Sequence, residues 1–216
     1  MFANRVEAGH MLAQALAHYG MGGDRADSRA IVLGVPRGGV VVAAEVARAL
    51  SLPLDVVVAT KVSAPMNPEF AVGAVAADGE VVANPSAGIP AEEVRRLAGP
   101  AHAKAQRELA MFRVGLSPLD LEGRTAIVVD DGLATGLTAL AAVQYLRRLG
   151  ADEVVLAVPV APPETVSLLR PYVDELIALE TPTGFSAVGQ FYATFGQTED
   201  AEVTALLATV SGRTIC

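Results

Sequence analysis

Asp130 and Asp131 stand side by side at the end of the apolar run Ala126-Ile127-Val128-Val129, and Gly132-Leu133-Ala134-Thr135-Gly136-Leu137-Thr138 follows at once. Two kinds of chemistry meet there. Paired carboxylates accept hydrogen bonds from sugar hydroxyls or hold a hydrated cation. A glycine-punctuated turn at a helix start offers unsatisfied backbone N–H groups and the positive end of the helix dipole, which bind a phosphate. A phosphorylated ribose presents both kinds of partner. Thr135 and Thr138 add hydroxyls beside the amides of residues 134–138. The turn has no lysine, so it is not the GxxxxGK[ST] loop of an ATPase, and it is not the GxGxxG of a dinucleotide fold.

A second turn, Gly34-Val35-Pro36-Arg37-Gly38-Gly39, also follows an apolar run. Taken alone it reads as a tight strand-to-helix turn. Arg37 nevertheless supplies charge for an anion, and Gly38 and Gly39 let backbone amides approach one. Lys61 closes the run Leu54 to Thr60, facing either solvent or the same anion. Arg95, Arg96, Lys104 and Arg107 fall on one charged helix and read as a solvated face. Phe185, Val188, Phe191 and Tyr192 form an aromatic tail segment that either stacks on a flat ligand or packs at a sheet edge. His10, His18 and His102 are scattered without metal-ligand spacing.

The elements that must position these residues alternate. Val6 to Tyr19 has helical periodicity and stops at Gly20-Met21-Gly22-Gly23. Strands are expected at Ala30 to Val35, Leu54 to Thr60, Thr125 to Val129, Glu153 to Val160 and Glu175 to Leu179. Helices are expected at Val40 to Leu50, Thr138 to Leu149, Pro163 to Arg170 and Glu199 to Val210. That rhythm predicts an α/β fold, a doubly wound parallel sheet with helices on both faces and the ligand at the C-terminal strand ends. Phe70 to Val75 and Glu80 to Ala83 predict a hairpin around Asp78-Gly79, and Pro90 to Phe112 predicts a helix. These interrupt the rhythm, so the chain is read as one domain over 1–216 with a hood or flap inserted at about 65–113.

Composition narrows the partners. The 216 residues are 52% hydrophobic, with few aromatics, as expected of strands buried on both faces. A net charge of −8 disfavours nucleic acid, and no basic run suggests a membrane surface. No apolar run is long enough to span a bilayer, and no signal peptide is read at Met1 to Glu7. The sole cysteine, Cys216, is expected to be an incidental exposed thiol, which suits a reducing cytoplasm.

Val128-Val129-Asp130-Asp131-Gly132-Leu133-Ala134-Thr135-Gly136-Leu137-Thr138 resembles the phosphoribosyl-pyrophosphate (PRPP) signature of the type I phosphoribosyltransferases. The resemblance implies that Asp130 and Asp131 hold the ribose hydroxyls and, mostly through water, a Mg²⁺ ion. Gly132 and Leu133 lead into a turn in which Ala134, Thr135, Gly136, Leu137 and Thr138 wrap the 5′-phosphate. It makes Pro36, Arg37, Gly38 and Gly39 a pyrophosphate loop, with a cis bond between Pro36 and Arg37. Lys61 becomes a second cation for the pyrophosphate, and 63–70 a mobile catalytic loop. Phe185, Val188, Phe191 and Tyr192 would meet the acceptor. Wider matches at Arg5 to Gly9, Gly34 to Val40, Asn67 to Val75 and Val188 to Phe195 resemble a bacterial subgroup whose acceptor is undefined. The implied activity is Mg²⁺-dependent transfer of phosphoribosyl from PRPP to a small nitrogenous acceptor, by a cytoplasmic homodimer. A protein that binds PRPP without turnover, or a doubly wound domain with another phosphate ligand, is the alternative. Ala134 stands where 6-oxopurine enzymes carry an acid, and Leu176 to Thr181 lacks their base-reading lysine, so that acceptor class is disfavoured.

Overall fold

Buried apolar runs become parallel strands, and the two chemistry-bearing turns leave from neighbouring strand ends. The computed structural model of the chain describes residues 1–21 and 29–210; Gly22, Gly23 and Cys216 lie outside the described residues. In chain order the elements are α1 (Arg5–His18), β1 (Ile31–Gly34), α2 (Gly38–Leu50), β2 (Leu54–Val56), β3 (Ala59–Ala64), β4 (Asn67–Ala76) and β5 (Val81–Ala83). Then come α3 (Ala91–Leu97), α4 (Gly99–Phe112), β6 (Thr125–Val129), α5 (Leu137–Arg148), β7 (Glu153–Val160), α6 (Pro163–Leu169), β8 (Glu175–Glu180) and α7 (Asp200–Val210).

The central sheet is parallel throughout, in the order β2-β1-β6-β7-β8. Successive side chains alternate between its two faces. Val32, Ile127, Val129 and Val155 meet Leu12 and Leu16 of α1, Val42 and Val46 of α2, and Leu207 of α7. Leu33, Val128, Leu156 and Val158 meet Leu140, Val143 and Leu146 of α5 on the other face. Each such buried aliphatic side chain contributes roughly 1.5–3 kcal/mol. The register pairs Gly34 with Val129, so β1 and β6 end level. Val35 N–H then donates to the Val129 carbonyl at 2.9 Å, holding the next residues together as well. From this point α2 leaves toward one face and α5 toward the other.

The run Leu54 to Thr60 is not one strand. Its core part ends at Val56, and β3 begins a separate antiparallel sheet, β3-β4-β5, at Ala59. Val57 and Val58 are buried between the two parts, so the sequence stays apolar across the break. Lys61 consequently lies within β3, not at the end of a core strand. Residues expected as a loop at 63–70 are largely a β3–β4 hairpin, with register shifts around Ser63. The hairpin at Asp78-Gly79 is present, joining β4 to β5. The helix expected from Pro90 to Phe112 divides into α3 and α4, because Pro100 sits in the first turn of α4, where it cannot extend the preceding helix.

The antiparallel sheet and its two helices share a small core of Val62, Val72, Val75, Val94 and Ala98 and stand over the C-terminal ends of the central sheet as a hood. Asp55 of β2 and Arg113 after α4 anchor it: Arg113 Nε lies 3.1 and 3.3 Å from the two carboxylate oxygens. Arg148 of α5 also pairs with Asp78 at 2.7 Å. Among the described residues no helix is long and apolar enough to cross a membrane.

Candidate functional site

The turn after β6 is shaped by what its apolar residues bury. Leu133 and Leu137 point into the core, leaving Ala134 and Thr135 exposed between them. Leu133 N–H donates to the Val160 carbonyl at 2.9 Å, and Thr165 Oγ1 donates to the Ala134 carbonyl at 2.6 Å. Gly136 caps α5 with φ +73°, and a Cβ there would stand 2.7 Å from Thr165 Cγ2. Backbone conformation and lack of room both call for glycine. The turn therefore offers main chain at the N-terminus of α5, where the first N–H groups have no intrahelical acceptor. Ala134, Gly136 and Leu137 have only backbone to give a phosphate, and Leu133, expected to join them, has its N–H already on the Val160 carbonyl. Thr135 is exposed on the turn, and Thr138 lines the adjoining cleft.

The turn after β1 comes against the two acids. The Pro36–Arg37 bond is cis, as the resemblance implies. A Cβ on Gly38 would lie 2.0 Å from Asp131 Oδ2, and one on Gly39 2.8 Å from Asp130 Cα and Oδ1. The first turn of α2 thus packs directly on both carboxylates. Gly132 is equally confined, since a Cβ there would stand 2.6 Å from Val188 Cγ1.

The two acids differ in their surroundings. Burial pushes the Asp130 carboxyl well above the usual carboxylate range, and the Asp131 charge adds to the effect. Burial also raises Asp131, but Arg5 opposes it, with Nε donating to Oδ2 at 2.7 Å. Asp131 N–H donates to Asp130 Oδ1 at 2.8 Å. The Tyr192 hydroxyl donates to the Asp131 carbonyl at 2.6 Å, and burial pushes that phenol up. Arg5 appears in the sequence only as the first residue of a subgroup pattern, and nothing nearby links it to an acid on β6. Its Nη1 donates to the Gly196 carbonyl at 2.8 Å, and the guanidinium lies 3.9 Å from the Phe195 ring centroid.

Between the hood and the strand ends is an open cleft of about 1040 Å³, lined by Arg5, Pro36, Arg37, Lys61, Lys104 and Thr138, among others. Arg37 Nε lies 3.0 Å from Asp200 Oδ1 at the start of α7, and its Nη1 donates to the Thr198 carbonyl at 3.5 Å. Lys104 lies 3.7 Å from Glu108. Arg95 and Arg96 pair with Glu92 and Glu93 on an exposed face, the solvated reading of that helix, whereas Lys104 is turned to the cleft.

The aromatic tail is packed mostly on itself. Phe185 and Phe191 stack at 5.3 Å, and Tyr192 is buried between Phe2 at 5.4 Å and Phe195 at 5.1 Å. A bridge between Phe2 and Tyr192 draws the first residues onto this tail. With its hydroxyl on Asp131, Tyr192 takes the sheet-edge role and is not placed to stack on an acceptor. Phe195, present in the sequence reading only as the end of the Val188 to Phe195 match, and Gln197, outside every expected site, line the cleft instead. Among the described residues no group of three or more His, Cys, Asp and Glu side chains could hold a metal ion. Two adjacent carboxylates fit a cation that keeps its waters and takes other ligands from a phosphorylated substrate, not a caged resident ion.

Residues 4–193 match the family model described as the phosphoribosyl transferase domain. Proteins of Mycobacterium tuberculosis strains CDC 1551 and H37Rv, each named "Putative phosphoribosyl transferase", are 44% identical over 216 residues, covering 96% of this chain and 46% of theirs. The chain thus spans about half the length of these curated relatives. The crystal structure of TT1426 from Thermus thermophilus superposes with a TM-score of 0.80 at 42% identity, covering 98% of this chain and 99% of that one. A shorter match, 48% identical over 53 residues, is to a uracil phosphoribosyltransferase of Streptomyces avermitilis, covering 24% of this chain and 25% of that protein.

Proposed function

The chain belongs to the phosphoribosyl transferase domain family, and on that premise we propose that it moves the 5-phosphoribosyl group of PRPP to a base-like nitrogenous acceptor and releases pyrophosphate. The observation that carries this is the packing of Asp130 and Asp131 against the first turn of α2, beside the exposed residues Ala134 and Thr135 just before the N-terminus of α5. Groups suited to a ribose diol and to its 5′-phosphate are then adjacent, and the cations Arg37 and Lys61 line the cleft beside them. The short uracil phosphoribosyltransferase match favours a base as acceptor.

In this reaction the acceptor nitrogen forms a bond to C1 of the ribose as the C1–O bond to pyrophosphate breaks, with inversion. The electron pair leaves with pyrophosphate, and positive charge builds on the ribose ring. The protein's part is positioning and electrostatics, not covalent catalysis. Asp130 and Asp131 hold the hydroxyls, the 134–138 turn holds the 5′-phosphate, and Arg37 and Lys61 face the leaving charge. A Mg²⁺ carried by the donor would be held at Asp130 and Asp131 through water and would neutralise pyrophosphate oxygens. The hood over the cleft limits competition from water as acceptor.

Calorimetric titration with PRPP, with and without Mg²⁺, followed by a pyrophosphate-release screen over bases, tests the reading. Mg²⁺-dependent binding with release for one acceptor is expected. Binding without release from any acceptor would reassign the protein as a PRPP sensor, and no binding would overturn the reading.

A further inference from the structure

We propose that Arg5 is a positioning residue for the donor: it holds the Asp131 carboxylate in the orientation that meets the ribose hydroxyls. This rests on the reading of Asp130 and Asp131 as the ribose-binding acids.

Asp131 Oδ2 is wedged. Arg5 Nε donates to it at 2.7 Å from one side, and on another a Cβ on Gly38 would come within 2.0 Å of it. The carboxylate cannot turn without losing the ion pair or colliding with α2. A carboxylate offers about four acceptor positions, and Arg5 occupies one of them at Oδ2. Gly38 crowds the same oxygen, so Oδ1 is the atom left to meet a hydroxyl or a water-borne cation, and the ion pair and the ligand are compatible.

Arg5 is itself fixed from behind. Nη1 donates to the Gly196 carbonyl at 2.8 Å, and the guanidinium rests on Phe195 at 3.9 Å. Both side chains of the pair are largely withdrawn from water, with Arg5 13% and Asp131 15% exposed. The segment carrying Arg5 is pinned as well. Asn4 Oδ1 accepts from Glu7 N–H at 3.0 Å at the start of α1, and Phe2 N–H donates to the Phe191 carbonyl at 2.8 Å. A planar guanidinium is suited to this place because it donates in two directions and stacks with its face, which an ammonium cannot do at once. Tyr192, donating to the Asp131 carbonyl, steadies the same residue from its backbone.

The test compares wild type, Arg5→Gln and Arg5→Lys by calorimetry with two probes, Mg²⁺-PRPP and Mg²⁺-pyrophosphate. Only the first carries a ribose diol. Arg5→Gln is expected to weaken PRPP about tenfold, the scale of one charge-assisted hydrogen bond. Arg5→Lys should fall between, and pyrophosphate affinity should stay within about twofold in all three, as expected when the altered contact lies outside that ligand. Equal loss for both probes would mean a general collapse of the site or a direct phosphate contact, and would overturn the proposal. So would PRPP binding as tight as wild type, or tighter, in Arg5→Gln. Should Arg5→Gln fail to fold, Arg5→Lys carries the same comparison. If wild type binds pyrophosphate but not PRPP, the ribose reading itself fails, before any variant is made.

Discussion

Gly38 stands where any side chain would collide with Asp131: a Cβ at that position would lie 2.0 Å from the Oδ2 atom. The glycines after Arg37 therefore do more than free a turn, because they let α2 begin directly against the acids of another strand.

Gly38→Ala is accordingly expected to weaken the protein, although alanine is the better helix former by up to about 1 kcal/mol. The added methyl must displace the Asp131 carboxylate or shift the first turn of α2. A lower melting temperature together with at least tenfold weaker PRPP binding is the expected pair of results. A more stable protein with unchanged binding would show that the site has room that the geometry denies.

Asp130→Asn should separate stability from binding. Burial, reinforced by Asp131, raises the Asp130 carboxyl, so the folded chain holds that proton more tightly than the unfolded chain does. Between the ordinary carboxylate range and the raised value, stability falls as pH rises. Asparagine removes the charge and can still accept from Asp131 N–H. Thermal melts should show Asp130→Asn more stable than wild type at pH 7, with the difference vanishing as pH drops below about 4. PRPP binding should be lost. A variant that melts lower than wild type at pH 7 would count against an Asp130 carboxyl whose ionised form is disfavoured by burial.

Arg113→Ala tests how the hood is held. Its partner Asp55 is buried on an edge strand of the core, so the substitution removes the guanidinium that faces both carboxylate oxygens and leaves the Val56 N–H donating to Oδ1 at 2.8 Å. Removing one partner of a buried pair costs about 3–5 kcal/mol. Urea unfolding should show a loss of that order, and the Asp55→Ala, Arg113→Ala double variant should lose less than the two single losses combined. Simple additivity would mean that the pair does not act as a unit.

Much of the central sheet can be read from the sequence because its strands announce themselves. Thr125 to Val129 and Glu153 to Val160 are apolar runs stopped by acids, glycine or proline, and the structure has them with those bounds. Leu54 to Thr60 misleads for a definite reason: Val57 and Val58 are buried on leaving one sheet for the next, so hydrophobicity does not mark the break. Pro100 did mark the start of α4, and the charge pattern running through it masked the signal. The Asp130 to Thr138 turn is local and therefore legible. Arg5 is not, because its partner is 126 positions away and the contact depends on how α1 docks. The tail aromatics are visible as a type, but which ring reaches the cleft depends on Phe2 bridging Tyr192.

The level ends of β1 and β6 have a consequence for how such a protein can diversify. The two turns that meet the acids come from strand–helix units locked into the central sheet. The hood and the aromatic tail, which supply the remaining walls of the cleft, are separate stretches of chain. The hood can be recut without touching Gly38, Asp130 or Asp131, whereas the tail is tied to the acids through the Tyr192 hydroxyl on the Asp131 carbonyl and through Phe195 beneath Arg5. The site is thus an anvil set into the sheet, with one tool fastened to it and another held above.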